Sequence, residues 1–168
     1  MGRRRLPSYR AHIIKFTSFN ILQFPFIRTA FPGVPAIFLF RDPDQVLDSY
    51  REGPPGWIGR RTEIGKTWDL AEAAVADFFQ AALSIRDMHF RCMDYANLTP
   101  RVLPSLLEFL HVPVTGHEVR RMKTEFSWDA KGGIKPRLFA PAPRRYNVSP
   151  ARIRDLYCRL AARSVEDW

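Results

Sequence analysis

Residues 35–40, PAIFLF, form an unbroken apolar run that stops at Arg41-Asp42-Pro43. A run this short, bounded by proline before and Asp-Pro after, predicts a strand buried in a parallel sheet. Asp42 suits a helix N-cap. Pro43 suits the first helical position, where its missing N–H costs nothing and its fixed φ helps. A buried strand that passes directly into a helix is the repeating unit of an α/β fold, and it constrains the chain more than any other feature.

The remaining pattern agrees. AHIIKF, residues 11–16, reads as a short buried strand followed by a helical or looped stretch through Arg28, and HFRCMDY, 89–95, reads as a third strand. Between them Trp68, Ala71, Val75, Phe78, Ala82 and Ile85 recur at spacings of three and four, which places them on the core face of a helix over 67–87. Thr99-Pro100 repeats the cap-and-proline start and predicts a helix to about His111. Pro104 lies far enough inside that the helix should kink or restart there. Further helices are expected over 115–127 and 150–163, separated by the irregular basic segment AKGGIKPRLFAPAPRRYNV. The order is that of an α/β protein with a mainly parallel sheet covered by helices, in one domain spanning 1–168. Three strands are few for a doubly wound sheet.

At 168 residues, 46% of them hydrophobic, the chain is long enough for one real core and too ordinary in composition to be disordered. No apolar run approaches the roughly 20 residues of a membrane span. The basic start MGRRR resembles the head of a signal peptide, but Lys15, Asn20 and Gln23 interrupt what would be its apolar region. Leu6 stands where a myristoylation signal expects Ser or Thr. Cys92 and Cys158 lack zinc-ligand spacing, so no metal is expected and a reduced, cytoplasmic compartment is the simplest fit. The net charge of +9 is concentrated late: residues 119–168 hold 12 Lys or Arg against 5 Asp or Glu. That bias suits a polyanionic ligand, an acidic partner or nucleic acid without choosing among them.

Ligands of open α/β sheets gather at the carboxyl ends of the strands, where helix N-termini direct N–H groups outward. Arg41 stands at such an end with a fork of donors suited to phosphate, and Ser49 follows two helical turns beyond Asp42. The residues alone leave a second reading open, in which Arg41 pairs with Asp42 or Asp44 and Ser49 is an ordinary helix residue. GRRTEIGKT, residues 59–67, is not a Walker A loop: five residues separate Gly59 from Gly65 where four are needed, and no strand precedes it.

VPAIFLFRDPDQVLDSYRE resembles the signature of sulfotransferases that use 3'-phosphoadenosine 5'-phosphosulfate (PAPS), in which a strand ends in Arg-Asp-Pro and a serine follows on the next helix. IIKFTSFN, AFPGVP, CMDYANLTP and LLEFLHVPVT follow the same order as that family's later segments. The resemblance implies a P-loop-NTPase-like three-layer α/β/α fold with a mainly parallel sheet. It also implies an enzyme that moves a sulfonate from PAPS to a hydroxyl or amine acceptor, without metal. Carried over residue by residue, it assigns the 3'-phosphate to Arg41 and Ser49, adenine contacts to Tyr95 and Trp128, a basic glycine loop to Lys131 and Gly132, and the transferred group to Lys15.

The chain departs from the family in two places. Family members open with a strand and a phosphate-cradling turn that this sequence does not contain, so the domain is expected to be N-terminally truncated. That leaves a strand edge exposed, a tendency to associate, weak nucleotide binding and no turnover by this chain alone. Thr17 occupies the position where many members place a histidine base. An alternative of another class is a non-catalytic interaction protein that keeps the scaffold and uses its basic surface, with Arg144 and Arg145, for an acidic partner. Nucleic-acid binding rests on charge alone and ranks last.

Overall fold

The computed structural model describes residues 11–52, 56, 64–126 and 150–168, with only the backbone course described at 51–52 and 64–68. Two strands, β1 (Ala36–Phe40) and β2 (Phe90–Asp94), pair in parallel with Ala36 opposite Phe90 and Phe40 opposite Asp94. Among the described residues six α-helices accompany them: α1 (Phe24–Ala30), α2 (Pro43–Glu52), α3 (Ile64–Ser84), α4 (Leu103–Phe109), α5 (Gly116–Glu125) and α6 (Ala151–Asp167). The architecture is mixed α/β around a small two-stranded parallel sheet.

Alternation along the strands divides the core. Phe38, Phe40, Phe90 and Cys92 share one face and are buried in one cluster with Val75, Phe78, Phe79 and Ala82 of α3 and Ile153, Leu156 and Leu160 of α6. Phe40 sits at the centre, edge-on to both Phe79 and Tyr157. The helical spacing read over 67–87 is therefore the core face of α3, although the side chain of Trp68 lies outside the described residues. On the other face Arg91 of β2 lies 4.4 Å from the ring centroid of Phe109 and 4.9 Å from that of Trp168, while Leu39 of β1 is 47% exposed.

AHIIKF is not a strand. Residues 11–17 have no regular structure, and Ile13, Ile14 and Phe16 are exposed. β-branched residues make a strand only where a ladder partner exists, and among the described residues no strand pairs with the outer edge of β1. Instead Asn20 donates from its backbone N–H to Thr17 O (3.0 Å) and from Nδ2 to Thr17 Oγ1 (2.9 Å), which starts a 3₁₀ turn over Ser18–Gln23. Phe24 then packs against Phe90 at 4.9 Å.

Arg28 at the end of α1 holds the amino ends of both strands together. Its Nη1 donates to Phe31 O and Val34 O ahead of β1, and its Nε lies 2.5 Å from Asp87 Oδ2 ahead of β2. Pro104 does interrupt the helix expected from Thr99. Residues 99–102 form turns, and α4 restarts at Leu103 with the proline in its first turn, where its missing donor is harmless. The helix then closes through hydrogen bonds from His111 N to Glu108 O and from Val112 N to Leu107 O, the Schellman pattern, with His111 at φ 52° where glycine is usual.

Helix α6 closes one side of the sheet. Cys92 N donates to Asp167 Oδ2 (2.7 Å), Asp94 N donates to Ser164 Oγ (3.0 Å), and Trp168 Nε1 donates to Cys92 O (2.8 Å). Side chains thus bond the edge of β2 on which no strand lies among the described residues.

Candidate functional site

The carboxyl ends of β1 and β2 lie side by side because the register carries Phe40 opposite Asp94, so Arg41 and Tyr95 leave the sheet as neighbours. The Arg41 guanidinium stands 5.1 Å from the Tyr95 ring centroid, and its Nη2 donates to Gln45 Oε1 at 2.9 Å, one turn along α2. Ring and amide fix the direction of an exposed arginine without cancelling its charge.

The local sequence also explains why the two acids beside Arg41 do not neutralise it. Asp42 caps α2 as expected: its Oδ1 accepts from Asp44 N at 2.9 Å, with Pro43 buried at the first helical position. Its Oδ2 accepts from Arg154 Nη1 at 3.0 Å, and Asp44 Oδ2 accepts from Arg154 Nη2. One guanidinium from α6 thus spans both carboxylates. Burial works against its charge, but the hydrogen bond and charge of Asp42, followed by those of Asp44, outweigh it and hold the Arg154 pKa above the ordinary arginine value. Among the described residues no carboxylate forms an ion pair with Arg41, so the pairing of Arg41 with Asp42 or Asp44 is replaced by Arg154.

Beneath this corner is a buried polar node. Asp94 is 4% exposed; its Oδ1 accepts from Ala96 N (2.9 Å) and its Oδ2 from Tyr157 OH (2.8 Å). Burial first, then the hydrogen bond to Asp94 and its charge, push the Tyr157 phenol well above its ordinary range, so it remains a donor at physiological pH. Arg154 lies 5.8 Å from the Tyr157 ring centroid, which links the node to the Asp42–Asp44 bridge.

The other expected site residues are placed less favourably. Ser49 is half-buried, and its hydroxyl donates to Val46 O at 2.8 Å within α2. Receiving an anion would require that bond to be released. Lys15 is exposed in the irregular segment before the 3₁₀ turn rather than at the end of a strand. Trp128, Lys131 and Gly132, and also Arg144 and Arg145, lie outside the described residues. Gln45, Asp94, Arg154 and Tyr157 were not marked by the sequence reading. The available signal was the pair Arg154 and Tyr157, three apart on one face of a helix and both able to bond carboxylates.

The described residues contain no cluster of His, Cys, Asp or Glu able to hold a metal, and no helix among them is long and apolar enough to cross a membrane. No protein-family model, characterised protein or solved structure matches the chain.

Proposed function

We propose that the corner formed by Arg41, Gln45 and Tyr95 receives the 3'-phosphate of PAPS or of its product nucleotide, in a sulfotransferase-type domain of P-loop-like α/β design. The observation that carries this reading is the division of labour between two arginines. Arg154 takes both neighbouring carboxylates, while Arg41 stays exposed at the strand end, held by neutral groups only among the described residues. A fork of donors in that position suits a doubly charged phosphate, and the N-terminus of α2 beside it adds a favourable dipole.

In the proposed reaction a sulfonate leaves the donor's phosphosulfate and bonds to an acceptor oxygen or nitrogen, which gives up its proton. Lys15 would steady the transferred group, and Ser49 would turn its hydroxyl from Val46 O toward the 3'-phosphate. Trp128, Lys131 and Gly132 would supply base stacking and the basic loop of the resemblance. Thr17 offers no base at neutral pH, so the acceptor's proton must go to another group.

Calorimetry with 3'-phosphoadenosine 5'-phosphate tests the donor site, with the analogue lacking the 3'-phosphate as control. Arg41→Ala is expected to weaken binding about tenfold or more, consistent with loss of charge-assisted hydrogen bonds worth roughly 1.5–3 kcal/mol. Equal affinity for parent and variant, or for the two nucleotides, would remove the basis of the proposal.

A further inference from the structure

The two edges of the sheet are treated differently. On β2 the outward N–H groups of Cys92 and Asp94 and the Cys92 carbonyl are bonded to Asp167, Ser164 and Trp168. On β1 the bond from Ala36 N to His89 O sets the phase of the ladder. In a parallel pair alternate residues face the same neighbour, so Ala36, Phe38 and Phe40 face β2 and Ile37 and Leu39 direct both N–H and C=O outward. Among the described residues no strand meets them.

We infer that a second copy of the chain covers this edge, with β1 of each copy running antiparallel to the other about a two-fold axis through Phe38. Ile37 then opposes Leu39 of the other copy, and the two-fold repeats the pair. Each outward N–H and C=O of Ile37 and Leu39 meets its complement, so a single short segment satisfies itself. The ladder stops where Arg41 would oppose Pro35, which has no N–H to give.

Two further observations favour a second copy. Leu39, on the strand that would pair, is itself 47% exposed, so the pairing also covers apolar side-chain surface. Antiparallel pairing also sets the two Arg41 side chains at opposite ends of the ribbon, roughly 20 Å apart at about 3.3 Å per residue. That exceeds the screening length at physiological salt, so the positive charge of each copy does not forbid the approach. Because α6 closes both outer β2 edges, the joined sheet ends at four strands and assembly stops at the dimer.

The test is sedimentation across a range of protein concentrations, with amide hydrogen exchange on the same samples. The parent should reach a dimer and go no further, with the Ile37 and Leu39 amides slowing in exchange as concentration rises. Leu39→Pro removes an N–H that faces away from β2, so the β1–β2 ladder survives while the dimer dissociation constant should rise about tenfold or more. If that variant misfolds by circular dichroism, Leu39→Lys on the exposed back face should weaken the dimer through like charges. Ser164→Ala combined with Asp167→Ala should extend assembly beyond the dimer. A parent that stays monomeric throughout would overturn the inference, as would a dimer whose Ile37 and Leu39 amides exchange at the monomer rate.

Discussion

Cys92 provides a pH-dependent probe of the sheet–helix core. Its side chain is fully buried, and burial pushes its thiol up to about 12, with Arg163 working against the shift and Asp167 adding to it. In the unfolded chain a thiol ionises near 9. A group whose folded pKa is raised contributes stability that is complete below the unfolded value and disappears as pH climbs toward the folded one. At pH 7 nothing has been lost. At pH 10 the unfolded thiol is mostly thiolate while the folded one is still protonated, so the native state gives up about 1 to 2 kcal/mol. Cys92→Ala removes this titration and, by leaving a small void, costs about 1 to 2 kcal/mol at pH 7. The parent should therefore be the more stable protein at pH 7, and the two should converge by pH 10. Urea unfolding under reducing conditions, followed by intrinsic fluorescence at both pH values, measures the gap directly. Tyr50 and Tyr157, also raised chiefly by burial, weaken both proteins equally on the alkaline side and cancel from the comparison. A gap that stays constant from pH 7 to pH 10 would refute the claim that the thiol is held protonated by its surroundings.

Replacing His111 by glycine should stabilise the protein by about 1 kcal/mol in urea unfolding, because φ 52° penalises a side chain while the two capping bonds are made by the backbone. Arg154→Met should cost about 2 kcal/mol by the same assay, since it leaves Asp42 and Asp44 partly buried without their cation. The same variant should weaken nucleotide binding severalfold in calorimetry, because the released carboxylates then face the phosphate or pair with Arg41.

The elements that the sequence made legible are those whose signals are local. β1, β2, the start of α2 and the core face of α3 follow from apolar runs, the Asp42–Pro43 cap and helical spacing, all of which act within a few residues. AHIIKF was misread because a strand is defined by its neighbour as much as by its own residues, and Ile13 and Ile14 carry no information about whether that neighbour is present. The candidate site divides in the same way. The position of Arg41 at a strand end was readable, but Arg154 reaches the adjacent Asp42 from 112 residues away, a pairing that no local spacing encodes.

Closure of β2 by α6 has a consequence for how the protein emerges from the ribosome. The bond between Cys92 and Asp167 joins residues 75 apart in sequence. At a synthesis rate of about 5–20 residues per second, the strand has already been translated for roughly 4–15 s before the side chains that shield it exist. Throughout that interval the flank of β2 that α6 later covers is without those bonds, and a chaperone able to hold an extended segment would find its substrate there.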